Sequence, residues 1–110
     1  MDKAKILKEI EKEIDWYQVP KHIANAMRKL GRLGFRPGGH GVGCGGEDWS
    51  LFYDLSKKKD SYIYVNLSYP VKDCSISVYL NDTDEPGFTI TKSIPKTLEL
   101  ARKLKRKYNS

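Results

Sequence analysis

The sequence predicts an α+β domain in which helices pack on a four-stranded antiparallel β-meander, in the order ααββββα. Three observations support this prediction. Apolar residues recur at helical spacing before residue 34, alternate with polar residues from residue 49, and return to helical spacing after Pro95. Short connections rich in turn-forming residues separate the alternating segments, as in an antiparallel meander. A chain of 110 residues is long enough for one core, so we expect a single domain over residues 1–110.

Helical periodicity predicts three helices. In residues 3–17 the apolar stripe consists of Ile6, Leu7, Ile10 and Ile14. After Pro20 a second stripe consists of Ile23, Met27, Leu30 and Leu33. Gly34 then marks the C-terminal end of that helix. The last helix follows Pro95 and carries Leu98, Ala101, Leu104 and Tyr108.

Alternation with a period of two predicts the four strands. Their apolar positions are Trp49, Leu51, Tyr53 and Leu55, then Ile63, Val65 and Leu67, then Cys74, Ile76, Val78 and Leu80, and finally Phe88 and Ile90. Residues 57–60 and 81–87 are predicted hairpin connections, and a third connection begins at Tyr69-Pro70. The sequence leaves open whether the three helices share one face of this sheet.

A glycine-rich segment precedes the first of these strands, with seven of the nine glycines between Gly34 and Gly46. This density predicts a long loop over residues 36–48, which either binds a ligand or is a mobile connection. The spacing of Gly41, Gly43 and Gly46 fits G-x-G-x-x-G. That motif binds dinucleotides only after a strand and before a helix, and here the order is reversed. A backbone nest for an anion, with Arg36 and His40 as nearby donors, stays open.

Positive charge is concentrated in the second and third helices. Residues 21–36 hold five lysines and arginines and no acid, and residues 95–110 hold six against one glutamate. Two such helices side by side would form a stripe suited to phosphates, although basic helices are also simply solvated. The predicted phosphate contacts are Arg28, Lys29, Arg32, Arg36, Arg102, Lys103, Lys105 and Arg106.

Three tyrosines occupy the polar positions of the middle strands. Alternation places Tyr62, Tyr64 and Tyr79 on the sheet face opposite the aliphatic residues. Such rings stack on nucleic-acid bases, but tyrosines also stabilise sheets by pairing across strands. Because residues 37–94 hold eight acids against five lysines, we expect phosphates to avoid this face. It therefore suits a protein partner better, and these three residues are the predicted partner-binding set.

His40 is the one weak catalytic candidate, because its imidazole titrates near neutrality. Glu47 or Asp48 could orient it, and Cys44 could serve as a nucleophile beside it. A metal site would need His22, His40, Cys44 or Asp48, which lack metal-ligand spacing, so no metal and no cofactor are predicted. A reducing compartment favours free thiols at the two cysteines.

The order of a helix, Gly34-Phe35 and Gly39-His40 ahead of a strand resembles, over about seven residues, the HicA-type toxin ribonucleases. Those are small basic domains with an α-β-β-β-α fold. The resemblance implies RNA cleavage with His40 in the matching position. This chain differs from the family in its N-terminal helix, in the missing Ser-His context, and in having no predicted strand between Phe35 and His40.

The first functional hypothesis is a non-catalytic nucleic-acid-binding protein that contacts the phosphates of RNA or of a duplex. The second is a small protein-binding adaptor or inhibitor, for instance one encoded by a mobile element, that uses the tyrosines or the glycine-rich segment. A ribonuclease centred on His40 is the third. No apolar run has the length of a membrane span and the N-terminus lacks the apolar core of a signal peptide. We therefore expect a cytoplasmic protein with no membrane partner.

Overall fold

The computed structural model describes residues 2–43, 45–55, 59–70, 73–81 and 83–108, with residues 83–88 described by their backbone. Its helices are α1 (Lys3–Tyr17), α2 (Lys21–Arg32) and α3 (Ile94–Tyr108). Its strands are β1 (Arg36–Gly43), β2 (Gly46–Asp54), β3 (Tyr62–Tyr69), β4 (Cys74–Leu80) and β5 (Thr83–Thr91). The strands form one antiparallel sheet in the order β1-β2-β3-β4-β5, which confirms the α+β class and the antiparallel sheet.

The sheet has five strands, so the predicted order ααββββα was wrong. The additional strand, β1, lies in the glycine-rich segment that we predicted as a loop, and it pairs with β2 from Arg36↔Phe52 to Gly43↔Gly46. Glycines are depleted in strands and supply no side chain to alternate, which hid this strand from the periodicity. Strand β5 likewise begins at Thr83, within the predicted connection 81–87.

Helix α2 ends as predicted, and its end directs the chain into β1. Gly34 has a φ of +102°, a conformation that glycine adopts without steric cost. Its N–H donates to the carbonyl of Gly31, and the N–H of Phe35 donates to the carbonyl of Leu30. This pair of hydrogen bonds is a Schellman motif, and it places the Phe35 ring in the core next to Leu30, both fully buried.

The three helices share one face of the sheet. Helix α1 contacts β1, α3 contacts β3, β4 and β5, and α2 lies between α1 and α3. The aliphatic positions of β2, β3 and β4 meet the helices in one core, whose largest fully buried side chains include Trp49, Phe35, Ile10, Met27 and Ile63. Strand alternation then leaves Tyr62, Tyr64 and Tyr79 on the opposite face, which we call the tyrosine face.

The glycines of β1 and β2 allow close packing rather than a mobile connection. A Cβ atom at Gly38 would overlap the ring of Phe52, which lies on the tyrosine face. A Cβ atom at Gly46 would approach the backbone oxygen of Tyr69 to 2.9 Å. Side chains at these two positions would displace a ring or a backbone segment, so packing accounts for part of the glycine density.

Candidate nucleic-acid interface

Neighbouring helices α2 and α3 present their basic side chains to solvent. The exposed residues of α2 are Lys21, His22, Asn25, Lys29 and Arg32, and none of them is acidic. They recur at helical spacing because the intervening apolar residues are buried against the sheet. The exposed positions of α3 in the described range are Pro95, Lys96, Glu99, Arg102, Lys103, Arg106 and Lys107. The two helices contact each other, so their basic stripes lie side by side.

The basic last turns of α2 and α3 lie at the same end of the molecule. Near their beginnings, His22 of α2 and Ile94 of α3 line one common cavity, and at their ends Leu33 and Lys105 line another. The two helices therefore run in the same direction. Lys3, at the beginning of α1, also lines the second cavity and adds its charge to this end.

Four of the predicted phosphate contacts are exposed and make no ion pair with the described residues. These are Lys29 and Arg32 of α2 and Arg102 and Arg106 of α3. The charge of Arg32 also helps to lower the pKa of Glu11. Side chains of this kind are available to phosphate oxygens without first leaving a protein partner.

Two other predicted phosphate contacts, Arg28 and Lys103, form ion pairs with glutamates of the helices. Arg28 binds the Glu11 carboxylate through two nitrogens, at 2.6 and 3.0 Å, and this hydrogen bonding lowers the pKa of Glu11. The Lys103 ammonium lies 3.6 Å from the Glu99 carboxylate, one helical turn away. Both pairs are exposed, so each contributes little to stability and can be exchanged for a phosphate.

Lys105 and Arg36 have structural contacts at the basic end. The Lys105 ammonium lies 5.3 Å from the centre of the Tyr53 ring, and burial, together with the charge of Lys3, lowers its pKa. Arg36 is on β1, with its guanidinium 5.1 Å from the centre of the Phe52 ring, and it binds both carboxylate oxygens of Asp54 at 2.7 and 3.1 Å. The hydrogen bond from Arg36 lowers the pKa of Asp54. The structure therefore separates these two residues from the exposed phosphate-binding candidates.

The predicted partner-binding tyrosines lie together on the tyrosine face, which no described helix covers. The rings of Tyr62 and Tyr79 stack with centroids 4.9 Å apart, and Tyr64 meets Tyr79 edge-on at 6.3 Å. Phe52 extends the group, with its centroid 5.4 Å from Tyr62 and 5.2 Å from Tyr64. The Tyr64 hydroxyl lies 3.0 Å from Ser50 Oγ and accepts a hydrogen bond from Asn66. These contacts fix the four half-buried rings in one arrangement.

His40 lies on strand β1 and not in a loop, and its side chain faces the helices. Its ring stacks on Tyr17 with centroids 4.0 Å apart, and its Nε2 lies 2.8 Å from Glu47 Oε2. The side chain is 14% exposed. The sequence prediction that no strand lies between Phe35 and His40 was wrong, because β1 begins at Arg36. Glu47 orients the imidazole as a general base requires, while Tyr17 covers one face of the ring.

A partly buried carboxyl, that of Glu13, lies near His40, and sequence reasoning missed it. Glu13 Oε1 is buried and has no hydrogen-bond partner among the described residues. Burial raises the pKa of Glu13, while the charge of His40 acts in the opposite direction. In the sequence, the spacing places Glu13 on the same side of α1 as Ile6 and Ile10. The burial of the Glu13 carboxyl follows only from the packing of α1 over β1.

Replacing Glu13 with glutamine is expected to stabilise the fold at neutral pH. Because the folded-state pKa of Glu13 is raised, the wild type loses stability as pH rises from the ordinary carboxyl pKa through the raised one. The advantage of Glu13→Gln should therefore grow over that interval and stay constant above it. Thermal unfolding between about pH 4 and 8 measures this, with Asp15→Asn, an exposed acid of α1, as control. An advantage that does not depend on pH contradicts the assignment.

Among the described residues, no three His, Cys, Asp or Glu side chains are placed to hold a metal ion. Cys74 is a free, buried thiol. Cys44 is outside the described residues, so a free thiol there and its suggested role as a nucleophile beside His40 stay predictions.

None of the described helices is long and apolar enough to cross a membrane. Comparison of the chain with protein-family models, with curated proteins and with solved structures gives no match.

Proposed function

We propose that this chain is a non-catalytic nucleic-acid-binding protein that contacts the phosphate backbone of RNA or of a duplex through α2 and α3. The observation that carries the proposal is the pair of neighbouring exposed stripes in which Lys29, Arg102 and Arg106 make no ion pair with the described residues. Lysine and arginine on adjacent helices form a binding surface for a polyanion and read its charge rather than its base sequence.

The dimensions of the stripes suit a phosphate backbone. From Lys21 to Arg32 the exposed side of α2 runs for about 16 Å along the helix axis. Phosphates of one strand of a duplex repeat about every 3.4 Å along its axis, so one helix can follow several of them. Helix α3 continues the surface sideways, and its last two turns add Arg102 and Arg106 at the end where Lys29 and Arg32 lie.

The tyrosine face is a weaker candidate for the nucleic acid. Strand β1 contributes one basic residue, Arg36, to the described part of this face. Arg36 is already bound to Asp54 through two hydrogen bonds. Proteins that stack bases on aromatic rings also bind the phosphates in a positively charged groove. The described residues of this face form no such groove for a strand laid over Tyr62, Tyr64 and Tyr79, which is why we assign the phosphates to the helices.

Fluorescence anisotropy with single-stranded RNA, duplex RNA and duplex DNA tests the proposal. The test variant replaces Lys29, Arg102 and Arg106 with glutamine. Its matched control replaces Lys5, Lys8 and Lys12, three exposed lysines of α1, so that the net charge falls by the same amount. We expect the test variant to lose affinity for the preferred probe by at least about tenfold and the control to lose much less.

Equal losses in both variants would show that net charge alone attracts the probe, and absence of binding by the wild type would remove the proposal. The RNA probes also test the ribonuclease hypothesis. RNA that stays intact agrees with a non-catalytic protein. Cleavage that disappears in His40→Ala would instead identify an enzyme, and cleavage that His40→Ala leaves unchanged would exclude a role for His40.

A protein-binding adaptor that uses the tyrosine face is the second candidate function. It is favoured by the four contacting rings that no described helix covers. Aromatic side chains of this kind frequently dominate protein interfaces. Here we expect a partner captured by the wild type to be lost by Tyr79→Ala and retained by Trp16→Ala, which removes an exposed ring from α1. A partner retained by both variants, or released by salt alone, would contradict this second candidate.

A further inference from the structure

A cavity of about 630 Å³ lies where two strands and two helices meet at one end of the sheet. Strand β3 ends there, β4 begins there, and α2 and α3 both begin there. Its volume is within the range of small-molecule binding sites. The residues that line it include His22, Tyr69, Pro70, Lys92, Ile94 and Pro95.

The walls of this cavity are mostly apolar and include two rings. Pro70, Ile94 and Pro95 supply aliphatic surface, and the Tyr69 side chain is 40% exposed, which is unusual for a large ring in this chain. The His22 ring lies 5.5 Å from the Tyr69 ring, tilted by 55°. Apolar surface beside two rings fits a flat aromatic molecule, which gains contact area against the walls and ring contacts with Tyr69 and His22.

The polar groups at the cavity favour a negative charge. Among the described residues that line the cavity there is no carboxylate, whereas Lys92 is one of them. The first turns of α2 and α3 both reach the cavity, and helix N-termini carry partial positive charge. In α3 the Ser93 hydroxyl already accepts a hydrogen bond from the Lys96 N–H. In α2 the residue before the helix is Pro20, which makes no side-chain hydrogen bond to the first amides. The Lys92 partner, Asp73, is 3.3 Å away in an exposed pair that holds the ammonium weakly.

From this combination we infer that the cavity binds a small molecule with a flat aromatic body and one anionic group. The aromatic body lies against Tyr69, Pro70 and Ile94, and the anion is directed to Lys92. His22 and Pro95 belong both to this cavity and to the exposed sides of α2 and α3, but Lys29, Arg102 and Arg106 do not line it, so the two sites can be tested separately.

Two fluorescent probes that share a ring system separate the two parts of the inference. The probe 8-anilinonaphthalene-1-sulfonate carries the anion, and N-phenyl-1-naphthylamine has the same rings without it. We expect saturable one-to-one binding of the sulfonate and weaker binding of the neutral probe. Lys92→Gln should lower the sulfonate affinity by roughly two- to fivefold and leave the neutral probe unchanged.

Three further variants locate the site. Tyr69→Ala should weaken both probes, because it removes apolar wall. Lys59→Gln, a matched loss of one exposed lysine at the opposite end of the sheet, should change neither. The triple variant of Lys29, Arg102 and Arg106 should also leave the sulfonate affinity unchanged, so that failure here is separate from failure of the proposed function. Circular dichroism verifies that each variant is folded.

The inference is overturned by any of three results. The first is sulfonate binding that neither Lys92→Gln nor Tyr69→Ala reduces, because the probe would then occupy another surface. The second is a neutral probe that binds the wild type as tightly as the sulfonate. The third is no binding of either probe.

Discussion

Raising the salt concentration from about 50 to 200 mM is expected to weaken nucleic-acid binding by about a hundredfold if four phosphates are contacted. Each neutralised phosphate releases counterions, so the logarithm of the binding constant falls linearly with the logarithm of the salt concentration. Lys29, Arg32, Arg102 and Arg106 are the exposed side chains of α2 and α3 that would supply such contacts. Anisotropy titrations at four or more salt concentrations measure the slope.

The slope also tests which residues make the contacts. Replacing Lys29, Arg102 and Arg106 with glutamine should reduce it by about three, one for each lost phosphate contact. The control variant of Lys5, Lys8 and Lys12 should keep the slope of the wild type. A slope near zero in the wild type, or an equal reduction in both variants, would contradict phosphate binding by α2 and α3.

Replacing Phe35 with alanine is expected to lower the free energy of unfolding by about 3–5 kcal/mol. The ring is fully buried, 5.4 Å from the Tyr53 ring, and its burial also anchors the chain where α2 passes into β1. Stabilities of small domains are about 5–15 kcal/mol in total, so this one change removes a large share. Urea or thermal unfolding followed by circular dichroism measures the loss.

Val42→Ala is the matched control for this experiment. Val42 is on the adjoining strand β1 and is 77% exposed, so its truncation should change the stability by no more than about 0.5 kcal/mol. Similar losses of stability from Phe35→Ala and Val42→Ala would contradict the burial of Phe35 between α2 and β1. Phe35→Leu, which keeps most of the apolar volume, should lie between the two.

The helices could be predicted closely from local patterns. The apolar stripe in residues 3–17 coincides with α1, and Pro20 and Gly34 bracket α2 as expected. Such signals are local: a helix closes its hydrogen bonds within one segment, and Pro and Gly act through their own backbone geometry. Strands β2 to β4 could also be predicted from a local signal, the alternation of apolar and polar side chains.

Strand β1 and the surroundings of His40 could not be predicted in this way. A strand is completed by hydrogen bonds to a partner that can be distant in sequence, and five of the eight residues of Arg36–Gly43 are glycine or proline. His40 gains its Tyr17 contact only because α1 crosses over β1. The pairing of Arg36 with Asp54, which removes Arg36 from the exposed basic set, likewise joins two neighbouring strands.

The sequence alone determined the α+β class, the three helices and the concentration of positive charge on two of them, because periodicity and charge are properties of single segments. Only the tertiary structure decided that all three helices cover one sheet face, that the basic ends of α2 and α3 meet, and that no described helix covers the tyrosines. These features depend on which segments contact each other. Contacts between distant segments are selected by burial of the whole core, which no single segment contains.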